Sequence, residues 1–572
     1  MSFTREDILH KISDNTIINA NTASAFECYS LCANKKHLPT LKNRNHEIIN
    51  GRRGAGKTIL LKAFSHYINS GLDMDVAAAT KRLAAFYVNL DDVVKTVVST
   101  AQQNSHSLDN REYQDRIVQE ILIKLFDFFD EQYLKYENIF KREGCDSEIF
   151  KKIFDFDGIA KSGAISRTSK KETREISTTD KSGRTCGITL SKIPFIGKFL
   201  YAKEKSKIES QTSEDIRTFD IPPIKRSIDA LVSAFQYDRL YILIDEFVVV
   251  DKNINISIQK QIAQIIKDLF FRSPIITVKI ASIWNNNEMF GRLRGNNSRQ
   301  GLELGHDYSW GINLDSIFTT NSIDAIAFFE DVLVNQVLLY NEDNDNFPAE
   351  KRELLIPYIL STLFGDTNAN VLFSHTICGS LGIPRAFCNI LQKCLSTSMS
   401  RRSCISLEEI FSSVIFDYTT DVRSRIRYDI PFLDHIEKYI SDTETRYFAI
   451  KISDYNSIKP LIDMLLDANY LHQYPSEQIG WRLRNKYKMY VLHYGAFLEK
   501  VSSDALKILT KKEQPLFPNL KACTTVEDFL LPIPESFKEI RRCPKCGDSV
   551  LAQLFDVSSG LCSHCFDKQQ VQ

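Results

Sequence analysis

The segment Gly51-Arg52-Arg53-Gly54-Ala55-Gly56-Lys57-Thr58 satisfies G-x-x-x-x-G-K-[ST] at every fixed position and constrains the fold more than any other stretch of the chain. Such a loop works only between a strand and a helix. His46-Glu47-Ile48-Ile49-Asn50 reads as the strand, and Ile59-Leu60-Leu61-Lys62-Ala63-Phe64 opens a helix running to Asn69. Glycines without Cβ let successive N–H groups converge on an anion. The following helix points its positive end the same way. The spacing therefore predicts a phosphate cradle from Gly51 to Ile59, with Lys57 on β/γ oxygens and the Thr58 hydroxyl on Mg²⁺.

A cradle of this kind needs a second acidic element for the metal. Leu240-Tyr241-Ile242-Leu243-Ile244-Asp245-Glu246 supplies one. A buried strand would deliver Asp245 at its C-terminal edge to hold Mg²⁺ through water, with Glu246 placed to polarise an attacking water. Further strands are expected at Leu83–Leu90 and Ile275–Ile283, and helices at Ile224–Phe235 and Ser257–Phe271. This alternation predicts an α/β fold with a parallel sheet covered on both faces. Lys57 and Asp245 are 188 residues apart, so an insertion is implied over about residues 100–220. Apolar residues at helical spacing (Ile117, Ile121, Leu125, Phe128) predict one long helix over 115–142. The Ser/Thr/Lys-rich stretch 158–190 reads as a solvated loop or exposed hairpin, or else as a nucleic-acid-contacting loop.

Over residues 46 to about 500 the chain resembles the origin-recognition-complex-like AAA+ ATPases of bacteria, close to the signalling (STAND) P-loop ATPases. The phosphate loop, the Asp245-Glu246 strand, Thr277-Val278-Lys279-Ile280-Ala281-Ser282-Ile283 and Gly382-Ile383-Pro384-Arg385 carry that resemblance. It implies ATP and Mg²⁺ as ligands, ATP hydrolysis and assembly into homo-oligomers. In such ATPases the later strand ends in a polar γ-phosphate sensor. The matching positions are Ser282 and Asn285, with Trp284 interrupting the pattern. The G-x-P-R segment opens a lid helix. There Arg385 reaches the γ-phosphate in the AAA+ version, and the Pro384 region packs on adenine in the signalling version. An arginine from a neighbouring subunit often completes the site. Arg292, Arg294 and Arg299 follow the sensor strand, where such a finger would sit.

Beyond about residue 320 helices dominate, with a Ser406-x-x-Glu409 capping box before an apolar run. Pro460–Leu471 reads as a helix with Pro460 in its first turn. In Trp481–Val491, alternation places Arg482, Arg484, Lys486 and Lys488 on one strand face and Trp481, Leu483, Tyr487, Met489 and Val491 on the other. That order suggests a winged helix. Its cationic face could meet DNA phosphates, form an ordinary solvated surface, or serve only packing. Cys543-Pro544-Lys545-Cys546 and Cys562-Ser563-His564-Cys565 have the spacing of a four-thiolate Zn²⁺ site resembling a zinc ribbon. Four thiolates leave no open position, so a structural role is expected. Cys28 and Cys32 lie one helical turn apart and read as a core pair.

Composition supplies the remaining limits. Lys+Arg and Asp+Glu are both 72, which excludes a nucleic-acid binder acting by bulk charge but leaves room for a local patch. Thirteen cysteines, no apolar N-terminal signal region and no bilayer-length apolar run give the expectation of a cytoplasmic protein without a membrane partner. The organisation expected is a P-loop AAA+ core at 1–320, a helical lid at 321–428, a winged-helix-like domain at 429–505 and a zinc ribbon at 535–572. The function expected is an ATP-hydrolysing switch acting on or with DNA. The alternatives are a STAND-like signalling ATPase that assembles and activates a separate effector, for instance in antiphage defence, and a nucleotide-bound scaffold with little turnover.

Overall fold

The computed structural model describes residues 3–16, 19–71, 82–103, 110–162, 165–166, 218–219, 221–247, 259–283, 290–292, 299–315, 322–340, 348–426, 430–473, 486–501, 529–555, 559–562 and 565. Along the first half, strands β1 (Glu47–Asn50), β2 (Leu83–Asn89), the small pair β3 (Ile165–Ser166) and β4 (Thr218–Phe219), β5 (Arg239–Asp245), β6 (Ile276–Ser282), the hairpin β7 (Phe290–Arg292) and β8 (Arg299–Gly301), and β9 (Ser309–Asn313) follow one another. Five of them form one parallel sheet in the order β2-β5-β6-β1-β9. This is a P-loop AAA+ type core. Strands β5 and β6 are buried at every position, as expected of interior parallel strands covered on both faces.

Alternation within the strands divides the apolar side chains between two cores. Ile49, Ala85, Tyr241, Leu243 and Ala281 face α1 (Arg5–Thr16), α4 (Lys57–Asn69) and the C-terminal helices. Between α1 and α4 lie α2 (Ala25–Leu31) and the short α3 (Leu38–Leu41). Ile48, Ala84, Phe86, Ile242, Ile244, Val278 and Ile280 face α5 (Leu90–Gln103), α6 (Asn110–Glu143), α7 (Asp146–Ser162), α8 (Ile221–Ala234) and α9 (Gln259–Ile266). The long helix read from the sequence is α6. It pairs with α7 inside the expected insertion, packs on the second core and belongs to the body of the domain. Most of the polar 158–190 stretch lies outside the described residues.

A helical layer follows: α10 (Ser322–Leu338), α11 (Ala349–Phe364), α12 (Ala369–Ser380), α13 (Pro384–Arg401) and α14 (Leu407–Asp417). The capping box forms at α14, where Ser406 and Glu409 exchange hydrogen bonds. The next unit contains α15 (Pro431–Thr443), β10 (Tyr447–Lys451), α16 (Ile452–Asp467), β11 (Leu471–Gln473), β12 (Tyr487–Leu492) and α17 (Tyr494–Lys500), with an antiparallel sheet ordered β10-β12-β11. Two expectations are corrected here. Helix α16 begins at Ile452, so Pro460 sits in its middle. Strand β12 is the central strand of its sheet, and Met489 to Leu492 are all buried, so the alternation of solvated and packed faces stops at Lys488. A last hairpin, β13 (Ile540–Arg542) and β14 (Ser549–Leu551), carries Cys543 and Cys546 in its turn, and Cys562 and Cys565 follow it. Among the described residues no helix is long and apolar enough to cross a membrane.

Candidate functional site

Asn50 ends β1 and Lys57 begins α4, so residues 51–56 form the turn that the motif requires. Gly54 and Gly56 have φ of +86° and +95°, left-handed values that cost a side-chain-bearing residue about 1–2 kcal/mol. A Cβ on Gly56 would meet nothing within 4 Å, so the loop is open on that side. Lys57 Nζ donates to the carbonyls of Gly51 at 2.7 Å and Arg52 at 2.9 Å. Burial lowers the Lys57 pKa, and Asp315, Asp245 and Glu246 oppose that shift. A half-buried cation at the head of a helix, beside a loop open on one side, is suited to an anion.

Strand β6 lies between β1 and β5, and this brings their C-terminal ends together, with Asn50 beside Ser282. Asp245 is 1% exposed. Its Oδ1 accepts the Glu246 N–H at 2.9 Å and its Oδ2 accepts the Tyr87 hydroxyl at 3.0 Å. Burial, and then the Asp245 charge, raise the Tyr87 pKa, so Tyr87 remains a donor. Glu246 has φ +54°, a left-handed conformation that cooperative surroundings must hold. Tyr87 carries no mark of a site residue in the sequence. Its alternation in Leu83–Asn89 was legible, but its pairing with Asp245 depends on β2 lying next to β5.

The start of α13 sits directly on the phosphate loop. Pro384 occupies the first helical turn, and the Arg385 N–H reaches the Gly54 carbonyl at 3.5 Å. A Cβ on Gly54 would lie 2.9 Å from Ile383 Cγ2 and 3.1 Å from Arg385 Cβ. Between loop and lid is a cavity of about 390 Å³ lined by Arg53 to Ile59, Glu246, Ile283, Pro384 and Arg385. The cavity is also lined by Cys32, expected only as a core residue, and by Asn15, Ala20, Leu31, Ala33, Asn34, Phe328, Val332 and Gln336, which carry no motif in the sequence. Asn34 Oδ1 and Gln336 Oε1 are buried there without a hydrogen-bond partner. This part of the lining mixes amide and apolar side chains and leaves room for the remainder of a nucleotide whose phosphates meet the loop. One cue was available, namely Asn335-Gln336 interrupting the apolar run of α10.

Arg52 turns away from this cavity. Its N–H and Nε donate to Asp315 at 2.9 and 3.0 Å, Nη2 donates to the Leu381 carbonyl at 2.8 Å, and Nη1 lies 2.5 Å from His472 Nδ1.

Other expected site residues are not gathered here. The Ser282 hydroxyl, at the end of β6, donates to the Ile283 carbonyl at 3.4 Å, and Ile283 is the residue that lines the cavity. Asn285 and Arg294 lie outside the described residues, while Arg292 and Arg299 pair across the β7–β8 hairpin. Of the cationic strand face, Arg482 and Arg484 also lie outside. Lys486 is an exposed turn residue, and half-buried Lys488 places Nζ 5.9 Å from the Tyr455 ring centroid.

At the C-terminus the sulfurs of Cys543, Cys546, Cys562 and Cys565 all lie within 4.8 Å of one another, with Cys546 and Cys562 at 3.6 Å. Zn–S bonds of about 2.3 Å in a tetrahedron require sulfur separations of about 3.8 Å. The cluster therefore fits Zn²⁺ and a zinc ribbon. Main-chain N–H groups of Cys546 and Cys562 push the Cys543 thiol down, whereas the neighbouring thiols push Cys546 up, as expected of four sulfurs crowded around one point. Cys28 and Cys32 are buried in the core, as expected.

The ORC-CDC6-like family model matches residues 17–374, more than half of the chain. No curated protein matches it. The chain belongs to the ORC-CDC6-like family of AAA+ ATPases.

Proposed function

From that membership we propose an ATP-hydrolysing switch whose nucleotide state sets the position of the lid and acts on or with DNA. The observation that carries the proposal is the seating of the α13 N-terminus on Gly54, which places Pro384, Arg385 and the phosphate loop around one cavity. In this reading the amides from Gly54 to Thr58 and the Lys57 ammonium bind the phosphates, and the side of the cavity formed by Asn15, Ala33, Phe328 and Val332 takes the base. Thr58 and Asp245 would hold Mg²⁺, which when bound neutralises β/γ oxygens. Glu246 accepts a proton from the water that attacks the γ-phosphorus in line, and Arg385 ties the phosphate to the lid. The four cysteines hold Zn²⁺ structurally.

The finer division is between DNA and protein output. The DNA reading rests on the 482–488 cations and the zinc ribbon. The contact between Arg52 and His472 favours a second reading, in which the C-terminal sheet is a packing module of a signalling ATPase that assembles and acts through a separate effector. Turnover of ATP by the full chain, with and without duplex or single-stranded DNA at two salt concentrations, separates them. Salt-sensitive stimulation that is lost on charge reversal at Arg482–Lys488 supports DNA. ATP-dependent assembly indifferent to DNA supports signalling, and an absence of turnover refutes hydrolysis.

A further inference from the structure

The nucleotide site takes one of its supports from outside the region matched to the family. His472 lies on β11, beyond residue 374, and is 4% exposed. Its Nδ1 lies 2.5 Å from Arg52 Nη1. Arginine can only donate, so Nδ1 accepts, the ring proton sits on Nε2, and the imidazole is neutral. Burial, reinforced by the Arg52 charge, holds the His472 pKa well below its ordinary value, in keeping with that assignment.

Arg52 is a phosphate-loop residue fixed at both ends. Its carbonyl receives Lys57 Nζ at 2.9 Å and its N–H is held by Asp315. Its guanidinium spans three separate elements: Asp315 just after β9, the Leu381 carbonyl just before the lid helix, and His472 on the C-terminal sheet. Leu381 itself has φ +53°, an unfavourable conformation for a leucine that turns the chain into Gly382 and α13. Without His472, one N–H of a guanidinium in a closely packed junction would lose its acceptor, leaving Asp315 and the Leu381 carbonyl as its remaining fixed points.

We infer that His472 is a positioning residue of the nucleotide site: by accepting from Arg52 it holds the phosphate loop and the start of the lid in register, so that full ATP affinity requires the C-terminal sheet to be docked. The inference rests on the phosphate loop being the ATP site. It gives the C-terminal unit a defined route to sense or set nucleotide occupancy, because displacing β11 removes one of the three fixed points of Arg52.

The test compares wild type, His472→Asn and His472→Leu as full chains, by calorimetric titration with MgATP and by steady-state turnover. Asparagine keeps an acceptor near the Nδ1 position, and leucine removes it. Loss of a hydrogen bond to a charged donor is expected to weaken MgATP binding and raise KM about tenfold in His472→Leu, while His472→Asn stays within about threefold of wild type. If the leucine variant does not fold, His472→Gln replaces it, since its amide is one bond too far out to meet Arg52, and the same tenfold loss is expected. A leucine or glutamine variant with wild-type affinity and KM overturns the inference, as does an asparagine variant impaired as much as leucine, which would mean packing alone. Wild-type protein that binds no MgATP overturns the inference together with the site assignment beneath it.

Discussion

The contact between Gly54 and the lid lends itself to a quantitative perturbation. Gly54→Ala introduces two costs. The left-handed φ of +86° is about 1–2 kcal/mol unfavourable for alanine. The new Cβ would also sit 2.9 Å from Ile383 Cγ2 and 3.1 Å from Arg385 Cβ, closer than ordinary carbon contacts. Overpacking of this kind costs about 1–3 kcal/mol. Relief by lifting the lid helix from the loop opens the cavity, so about 2 kcal/mol of the total should appear as weaker MgATP binding, a factor of about 30. Ile383→Ala deletes the methyl group in the closest contact. The double variant should therefore bind about tenfold more tightly than Gly54→Ala alone and retain the backbone cost. Gly56→Ala provides the control. It shares the left-handed conformation but has no neighbour within 4 Å, so Ile383→Ala should not rescue it. Isothermal titration of the three single variants and the two doubles gives the coupling directly. A double variant no tighter than Gly54→Ala, or equal rescue of Gly56→Ala, would refute the steric link between loop and lid.

Other expectations concern separate parts of the molecule. Tyr87→Phe removes the donor on Asp245 Oδ2; a loss of about 1.5 kcal/mol should raise the Mg²⁺ concentration for half-maximal turnover about tenfold, and an unchanged Mg²⁺ dependence would remove Tyr87 from the site. Cys546→Ser or a strong chelator should abolish bound zinc and unfold the β13–β14 hairpin while leaving MgATP affinity unchanged, as read by metal analysis and calorimetry; retention of one zinc per chain would contradict the four-thiolate site. His46 stacks on Phe271, accepts the Val278 N–H, and is pushed by burial from 6.5 to about 4. Its neutral form is the folded one, so its contribution is complete above about pH 6.5 and is lost as pH falls towards 4. Thermal melts across that window should show a fall that His46→Asn reduces, and identical slopes would contradict it.

The sequence was most legible where covalent pattern and local geometry coincide. Gly51–Thr58, the strand running into Asp245-Glu246 and the four cysteines are each encoded within a few residues, and the structure brings Arg53–Thr58 and Glu246 to one cavity. Pro384 and Arg385 were legible for the same reason, because a proline in a first helical turn fixes where α13 starts. Short strands were harder to read. Strands β9 and β10, five residues each, lack a long apolar run and depend on partners far away in sequence. Pro460 misled because a helix start is its commonest position, whereas α16 carries it in mid-helix with its length and buried face maintained by Ile458, Leu461, Ile462 and Leu465. Gln336 left one cue, a polar break in an apolar helix, but Asn34, Asp315 and His472 were invisible as site residues, since only the folded chain brings them to the cavity or to Arg52.

The decisive experiment is calorimetry of zinc-replete, full-length protein with MgATP, in wild type and in Lys57→Ala. Saturable binding of one nucleotide per chain is predicted for wild type. Removal of the Lys57 ammonium should weaken it roughly a hundredfold, about 2.7 kcal/mol. No heat with wild type, or equal affinity in the two proteins, would contradict a triphosphate held by the loop between β1 and α4.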